Sequence, residues 1–248
     1  MAVSNAKWAR TKKLITSLRL KKYRKLEQCF VVEGAKSVLE LLDSDFEISM
    51  ILGTPAFLDE NKLSRDVETL KVSQRELESI GEFKTNDTVM AVARMKANTP
   101  FTISDNEFVI MLDDVRDPGN LGTIIRTADW FGINKIIASE ETADMYNSKV
   151  ITSTMGSFVR VQLFYTNLVD YLGENSHRVF GTYLDGNDVH GQQFGVSGLI
   201  LIGNESRGIS KELEPFVTDK ITIPRYGSAE SLNAAIATAV ICDNLRRH

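Results

Sequence analysis

The chain has 248 residues, 43% of them hydrophobic and 25% charged, which is the composition of a soluble protein with one large or two ordinary domains. No apolar run reaches the roughly 18 to 20 residues of a membrane span. The N-terminal stretch "MAVSNAKWARTKK" lacks the apolar core of a signal peptide, so we expect a cytoplasmic protein. Two cysteines, Cys29 and Cys242, and three histidines match no paired metal-binding spacing, so no metal is expected.

Charge is distributed unevenly along the chain. The net charge is −4, yet residues 1–26 contain nine of the 29 Lys and Arg residues and none of the 33 acidic ones. A basic arm on an acidic body favours a polyanionic partner, most simply nucleic acid. The alternative is a solvated basic helix face. The basic residues that we expect to contact RNA phosphates are Lys21, Lys22, Arg24 and Lys25.

The first segment of the chain alternates strands and helices. A helix over about 4–18 is followed by a basic loop, and the later patterns predict a strand at "CFVVEG", a helix at "AKSVLELLDS", strands at "ISMILG" and near Val72, a helix opening near Ser73 and a strand at "TVMAVARM". The polar stretch 96–106, which includes Pro100, has no periodicity. We therefore predict a small α/β domain over 1–96 and a second domain over 106–248.

The second segment predicts a mainly parallel sheet covered by helices. We expect strands at 107–113, 135–138, 158–163, 178–184, 198–203 and 219–223, and helices at about 119–131, 166–173, 210–216 and 230–247. Neither a G-x-G-x-x-G fingerprint nor a phosphate-binding G-x-x-x-x-G-K-[ST] loop is present. The sequence therefore gives no support to a nucleotide-cofactor dehydrogenase or an NTPase.

The first strand end of interest lies in "FVIMLDDVRDPGNLGTIIRTADWFG", residues 108–132. An apolar strand stops at two acidic residues, and a turn then opens a helix whose apolar positions 121, 124, 125 and 128 share one face. Asp117 or Asn120 is the expected N-cap. Arg126 projects away from the apolar face, either as a solvated residue or as a guanidinium that could reach a phosphate.

Two further strand ends carry polar and glycine-rich sequence. "LILIGNESRGIS", residues 199–210, ends a buried strand in a turn bracketed by Gly203 and Gly208, with Glu205 between them. "ITIPRYGSAESLNAAIATAVICDNLRR", residues 221–247, stops a strand at Pro224 and leads through Ser231 and Asn233 into a helix of small residues. In open α/β sheets ligands bind beyond the carboxyl ends of the strands, so these loops are the candidate site.

The motifs "DPGNLGTIIRTADWFG", "LIGNESRGIS" and "IPRYGSAESLNAAIATAV" together closely resemble the three motifs of the SpoU (TrmH) family of RNA ribose 2'-O-methyltransferases. Their order and spacing agree with that family over about residues 107–247. "KYRKLEQCFVVEGAKSVLELL" is similar to the family's frequent N-terminal substrate-binding domain, an α/β module like certain ribosomal proteins. Asp117 stands where the family often has Asn.

The resemblance implies a fold, a cofactor and a set of site residues. It implies a deep trefoil knot in the C-terminal sheet, a homodimer, and S-adenosylmethionine as methyl donor. It assigns Arg126 to the RNA phosphate and to removal of the hydroxyl proton, although an arginine normally stays protonated. The polar active-site positions that it implies are Asn120, Glu205, Ser231 and Asn233. The donor-binding positions are Thr182, Tyr183, Leu184, Gly203, Asn204, Gly208, Ile223 and Leu232.

The sequence thus predicts S-adenosylmethionine-dependent methylation of a ribose 2'-hydroxyl in ribosomal or transfer RNA. One alternative is a non-catalytic RNA-binding protein that has kept the fold; the presence of all five polar site residues argues against it. A second alternative is a small-molecule transferase on the same kind of sheet, against which the basic arm argues.

Overall fold

The computed structural model describes residues 5–61, 63, 67–82 and 88–247. The chain divides into two compact units. The first comprises residues 1–97 and 146–159, and the second comprises residues 98–145 and 160–248. The first four residues of the predicted basic arm lie outside the described residues.

The first unit is built on a four-stranded mixed sheet. Its strands are β1 (Cys29–Glu33), β2 (Ile48–Gly53), β3 (Glu68–Lys71) and β4 (Val89–Arg94), in the order β1-β4-β2-β3. Strand β4 is antiparallel to both of its neighbours, and β2 and β3 are parallel. The helices are α1 (Asn5–Leu18), α2 (Lys21–Glu27), α3 (Ala35–Leu42), α4 (Pro55–Glu60) and α5 (Gln74–Ile80). Ile15, Leu18, Leu52, Leu77 and Met90 are among the residues of one apolar core.

Two local features of this unit follow from capping chemistry. Helix α5 opens as predicted, because the Ser73 side chain caps the Glu76 N–H while the Glu76 carboxylate accepts from the Ser73 N–H. Helix α4, which no sequence pattern predicted, begins after Thr54 as N-cap, with Pro55 in its first turn.

The expectation of a basic loop before β1 was wrong, because residues 21–27 form helix α2. Arg24 is the reason that this short helix is fixed in place. Its side chain is only 3% exposed, and its Nη1 donates to the carbonyl oxygens of Leu18 and Arg19, each at 2.8 Å. These carbonyls lie at the end of α1, where no intrahelical donor is available for them. Arg24 therefore joins α1 to α2.

The second unit contains a six-stranded sheet in which every recorded pairing is parallel, as predicted. The strands are β5 (Phe108–Leu112), β6 (Lys135–Ala138), β7 (Gln162–Tyr165), β8 (Val179–Asp188), β9 (Gly198–Ile202) and β10 (Asp219–Thr222), in the order β10-β8-β9-β5-β6-β7. Its helices are α6 (Pro118–Trp130), α8 (Leu168–Gly173) and α9 (Ala234–Arg247). Helix α7 (Ser148–Thr154), between β6 and β7, belongs to the first unit.

Aromatic packing accounts for the membership of residues 146–159 in the first unit. The ring of Phe158 packs edge-on against Phe30 and Phe46, with centroid distances of 6.0 and 5.8 Å. Tyr146 lies against Phe30 at 4.6 Å. Phe158 was expected in a strand over 158–163, which was placed too early. Phe158 instead lies in a 3₁₀ turn, and the strand begins only at Gln162.

Two expected helices are shorter than their patterns suggested. Residues 210–216 contain only a 3₁₀ turn at Glu214–Phe216, with Pro215 lacking a backbone donor. Helix α9 starts at Ala234 instead of near residue 230. Residues 223–233 consequently form an irregular segment before α9. No helix among the described residues is both long and apolar enough to cross a membrane.

The strand order places a topological switch beside the first candidate motif. Strands β5 and β9 are neighbours, but β5 continues to β6 on one side while β9 continues to β10 at the opposite edge of the sheet. At such a switch the loops after adjacent strands separate, which leaves a crevice at the carboxyl ends of the strands. The loops after β5 and β9 are the first two candidate motifs.

Candidate active site and candidate RNA interface

Helix α6 begins at the mouth of this crevice. Asp117, one of the two expected N-caps, is the N-cap: its Oδ1 accepts the backbone N–H of Asn120 at 2.8 Å. Residues 121, 124, 125 and 128 are all fully buried, as the spacing predicted. Since the cap is supplied by Asp117, the Asn120 side chain is left for other contacts.

Three side chains from the three motifs form one hydrogen-bonded chain. Asn120 Nδ2 donates to Glu205 Oε1 at 2.7 Å, and Asn233 Nδ2 donates to Asn120 Oδ1 at 2.8 Å. Asn233 Oδ1 accepts the backbone N–H groups of Ala235 and Ile236 at the start of α9. This capping role fixes the direction of the chain, because the only polar group left on Asn233 is its NH₂ donor.

The network has a chemical consequence for Glu205. Its Oε1 is held by Asn120, and no bond to its second oxygen is recorded among the described residues. Glu205 is half-buried at the end of β9. The carboxylate is therefore oriented and retains an acceptor for a hydroxyl or an amine.

The loop after β9 is closed by its own backbone. Asn204 and Gly208 exchange two main-chain hydrogen bonds at 3.0 and 2.9 Å. The Asn204 side chain accepts from the N–H groups of Ser206 and Arg207 and donates to the carbonyl oxygen of Asp114 at 2.8 Å. Gly208 has a φ of +71°, a conformation that favours glycine. Asn204 and Gly208 therefore shape the loop.

Gly203 is a site of close backbone approach, but the approach is to the chain itself. A Cβ on Gly203 would lie 2.3 Å from the carbonyl carbon of Gly208 and 2.4 Å from the N of Ile209. A substitution would displace the loop before any ligand is considered.

The pairing of the preceding strand, β8, is interrupted where donor-binding residues were expected. The pairing of β8 with β10 passes from Gly181–Lys220 directly to Asn187–Ile221, and its pairing with β9 ends at Gly181. Residues 182–186 thus have no recorded ladder partner, although the Leu184 carbonyl oxygen accepts from the Thr222 hydroxyl at 3.2 Å and Gly186 stays close to the main chain of Lys220. The Leu184 side chain is exposed.

Tyr183 differs from its neighbours in this segment. Its ring packs against the apolar core of the second unit, and the ammonium of Lys220 lies 4.6 Å from the ring centroid. Burial raises the pKa of the Tyr183 phenol, with smaller contributions from Glu214 and Asp185. The ring is therefore held against the core, while the buried hydroxyl has no hydrogen-bond partner among the described residues.

The remaining expected site residues are exposed or partly exposed. Arg126 is exposed on α6, and within the described chain no hydrogen bond or ion pair is recorded for it. Ser231 and Leu232 are exposed before α9, and Ile223 is partly exposed after β10. The structure therefore joins Asn120, Glu205 and Asn233 directly, and it records no contact that ties Arg126 or Ser231 to them.

Two acidic residues after β5 have roles that the sequence analysis did not assign. Asp113 is buried, and its Oδ2 accepts the N–H and the hydroxyl of Ser210, each at 2.7 Å. Asp114 has a φ of +57° and contacts the loop after β9 through Asn204 and Arg207. Two consecutive acids at the end of an apolar strand were the available sequence signal.

In the first unit, helix α2 carries the residues expected to contact RNA. Lys21, Lys22 and Lys25 are exposed, and the exposed apolar side chains of Leu20 and Leu26 flank them in sequence. Arg24, expected among the RNA contacts, instead points inward to the end of α1. The basic surface of α2 is thus made by three lysines, and Arg24 is structural.

Comparison with known proteins agrees with this geometry. A model of the SpoU rRNA Methylase family matches residues 107–243, and a model of the MRM3-like substrate binding domain matches residues 10–91. The 23S rRNA (guanosine(2553)-2'-O)-methyltransferase RlmP of Bacillus subtilis is 33% identical over 238 residues, 92% of this chain and 93% of that protein. The 23S rRNA (uridine(2479)-2'-O)-methyltransferase of Streptomyces viridochromogenes is 32% identical over 64% of this chain and 60% of its own.

Solved structures give the same result. A TrmH-family protein from Porphyromonas gingivalis superposes with a TM-score of 0.89 at 36% identity, covering 100% of both chains. An AdoMet-bound rRNA methyltransferase from Sinorhizobium meliloti gives 0.87 at 31% identity, covering 96% of this chain and 94% of the other. By fold and motif placement the chain is a methyltransferase. It belongs to the SpoU rRNA methylase family, as the resemblance predicted.

Proposed function

We propose that this chain transfers a methyl group from S-adenosylmethionine to a ribose 2'-hydroxyl of RNA, with ribosomal RNA as the substrate class. The observation that carries the proposal is the Asn233–Asn120–Glu205 chain, which joins the three family motifs at the switch point of the sheet. A fold kept only for RNA binding does not require these three polar groups to be oriented toward one another.

The second half of β8 and the segments after β9 and β10 fit a methyl donor with an adenosine moiety. Main chain outside the ladders at 182–186 and the exposed apolar side chains of Leu184 and Leu232 suit an adenine ring. When bound, S-adenosylmethionine supplies an activated methyl group on a sulfonium. The residues proposed to hold it are Thr182, Leu184, Ile223 and Leu232, with main-chain groups of Tyr183, Gly203, Asn204 and Gly208.

The protein's own groups orient and deprotonate the ribose. A hydroxyl is a poor nucleophile, so positioning and proton removal are the tasks left to side chains. Arg126 binds an RNA phosphate, which places the ribose. Glu205 uses its second oxygen, which carries no recorded bond within the described chain, to accept from the hydroxyl. Ser231 contributes a further polar contact at the exposed start of the third motif.

The first unit supplies substrate binding in this proposal. The match to a substrate-binding domain model and the three exposed lysines of α2 support an RNA contact made largely through phosphates. We assign residues 1–96 to RNA binding and 106–248 to the catalytic domain. A cytoplasmic location belongs to the same proposal, because the relatives are bacterial and bacterial ribosomal RNA is cytoplasmic.

A homodimer is also part of the proposal. Trp130, near the end of α6, is 84% exposed, and Ile236 is exposed on α9, the helix that packs against α6. The two side chains lie at opposite ends of this helix pair, because Asn233 bonds to Asn120 at one end and Arg246 bonds to Phe131 at the other, so each offers a separate apolar contact. We assign a second copy of this chain as the partner. Sedimentation of the wild type and of Trp130→Glu checks this: the wild type should be dimeric and the variant should dissociate.

An assay with labelled donor tests the proposed reaction. The purified full-length protein is incubated with S-adenosylmethionine labelled in its methyl group and with unmodified ribosomal or transfer RNA. Complete digestion to nucleosides then identifies the labelled product. The proposal predicts a 2'-O-methylnucleoside from ribosomal RNA. RNA binding with no transferred label would instead indicate the non-catalytic alternative, and label on a base would contradict ribose methylation.

A further inference from the structure

A cluster of one carboxylate and two guanidinium groups lies between the first two motifs. Asp114 Oδ2 accepts from Arg207 Nη2 at 2.8 Å, and Asp114 Oδ1 accepts from Arg116 Nε. The Asp114 side chain is 15% exposed, while those of Arg116 and Arg207 are 60% and 68% exposed. A partly buried carboxylate thus holds two guanidinium groups that face solvent.

The pairing of Asp114 with two arginines is not needed to close the loop after β9. The loop after β9 is already closed by the Asn204–Gly208 main-chain pair and is attached to Asp114 through the Asp114 carbonyl oxygen. Exposed ion pairs contribute at most about 1 kcal/mol to stability. The two guanidinium groups also exceed the charge of Asp114, and Glu141 is the further acid that acts on Arg116.

The free donors of the cluster suit a phosphodiester. The bonds to Asp114 use one nitrogen of each guanidinium. No other bond is recorded for either group among the described residues, so most of the five N–H donors on each can bind another acceptor. Planar guanidinium groups bind phosphate oxygens in pairs. Asp114 fixes one edge of each group, which lowers the entropy lost when the other edges bind an anion.

The position of the cluster identifies which anion it meets. Arg207 follows Glu205 by two residues, Arg116 precedes Asn120 by four, and Asn120 and Glu205 are hydrogen-bonded. We propose that Arg116 and Arg207, oriented by Asp114, bind a phosphodiester of the substrate RNA next to the nucleotide whose ribose reaches Glu205. Arg126 is not part of this cluster. The inference rests on the proposed function, because it takes RNA as the substrate.

The test measures RNA binding without turnover. Arg116→Gln, Arg207→Gln and the double variant are titrated with an unmodified 23S ribosomal RNA transcript at two salt concentrations. The double variant should bind about tenfold more weakly at low salt, the scale of a charge-assisted hydrogen bond. Its log–log salt slope should fall by roughly 0.7 to 0.9, the effect of one phosphate contact. Arg247→Gln, which removes an equally exposed arginine paired with Asp243, should leave affinity near that of the wild type.

Donor affinity and melting temperature separate this role from a structural one. Both should be unchanged in the double variant, as measured by calorimetry. A fall in donor affinity or in melting temperature together with unchanged RNA affinity would mean that the cluster only braces the loop, and the proposal would be overturned. Because no methyl transfer is needed, a failure of the proposed reaction would show up separately, as a wild type that binds RNA but transfers no label.

Asp114→Asn tests the positioning step. Asparagine tolerates the positive φ and keeps the carbonyl contact to Asn204, so the loop should persist. The loss of fixed guanidinium edges weakens anion binding and the loss of the negative charge strengthens it, so RNA affinity should change little, while the released guanidinium groups should lower kcat/KM for methyl transfer. An unchanged kcat/KM would show that Asp114 does not orient the two arginines.

Discussion

Asn120 and Glu205, 85 residues apart in sequence, are joined by a 2.7 Å hydrogen bond at the carboxyl end of the parallel sheet. Asn120 also accepts from Asn233, so both its amide nitrogen and its amide oxygen are hydrogen-bonded to the other motifs. The first motif therefore holds the other two in register, and Asn120 is the residue on which the site's geometry depends.

Replacing Asn120 should disable the site while leaving the fold intact. Asn120→Ala removes both bonds, leaves Glu205 unoriented, and should reduce methyl transfer by about 10²-fold, the scale of losing one aligned donor. The N-cap bond of α6 uses the Asn120 backbone and survives, so the melting temperature should change little. Thr123→Ala on the exposed side of α6 is the control. Transfer by Asn120→Ala at the wild-type rate would mean that the network is not part of the mechanism.

Gly203 offers a prediction about stability. Gly203→Ala places a Cβ 2.3 Å from the Gly208 carbonyl carbon, which should cost about 1 to 3 kcal/mol as the loop moves. Gly227→Ala is the matched control, because no atom lies within 4 Å of its added Cβ, and its change should stay within about 0.5 kcal/mol. Chemical denaturation measures both. Equal stability of the two variants would refute the close approach.

Helix α2 gives a prediction about salt dependence. Replacing Lys21, Lys22 and Lys25 by Gln, with Arg24 left intact, should weaken RNA binding most at low salt. Each lost phosphate contact should flatten the log–log slope by up to about 0.9. Arg24→Gln should instead lower stability, because it strands the carbonyls of Leu18 and Arg19. If the triple variant and the wild type give matching slopes, the lysines are only a solvated face.

The pairing of Arg178 with Asp219 makes a prediction about pH. Two hydrogen bonds of 2.8 and 2.7 Å join these side chains, and the Arg178 guanidinium lowers the pKa of Asp219 from its ordinary value of 3.8. A lowered folded-state pKa adds stability that is present above pH 3.8 and is lost as the pH falls through the folded value.

Asp219→Asn should therefore be less stable than the wild type at neutral pH, by up to about 1 kcal/mol for this partly exposed pair. The difference should shrink as the pH falls below about 4. Asp243→Asn is the control. It breaks the exposed i,i+4 ion pair between Asp243 and Arg247 and should cost about 0.3 to 0.5 kcal/mol at neutral pH. Denaturation curves across pH check both, and a difference that grew on acidification would have the wrong sign.

Sequence reasoning succeeded where a local pattern decides the structure. The 3-4 spacing of Leu121, Ile124, Ile125 and Ala128 located α6 to within one residue, and the apolar runs located β5, β6 and β9. It failed where tertiary contacts decide. The basic stretch 21–27 has no apolar period, and its helix depends on the Arg24 contact with α1.

The same distinction holds for the site. The motifs named Asn120, Glu205 and Asn233, but no spacing could show that residues 85 and 113 positions apart would bond to one another. Helix α7 was missed because "SKVITST" has weak helix formers, and its unit membership depends on Phe158 meeting Phe30. The trefoil knot stays a prediction from family resemblance.

Substitution of Arg126 tests whether methyl transfer can be lost while donor binding is kept. Arg126→Ala should lose most methyl transfer, by about 10²-fold or more, while donor affinity measured by calorimetry stays constant. Arg126→Lys should restore little, because an ammonium lacks the planar pair of donors. Donor affinity that fell in parallel with transfer would place Arg126 in the donor pocket instead.

The most direct measurement is a map of 2'-O-methylated riboses in ribosomal RNA from cells that lack this chain. We predict that one ribose methylation is absent from these cells. Expression of the wild-type chain should restore it, and expression of Arg126→Ala should not. A map identical to that of the parent cells, or restoration by Arg126→Ala, would contradict the assignment of this site to ribose methylation.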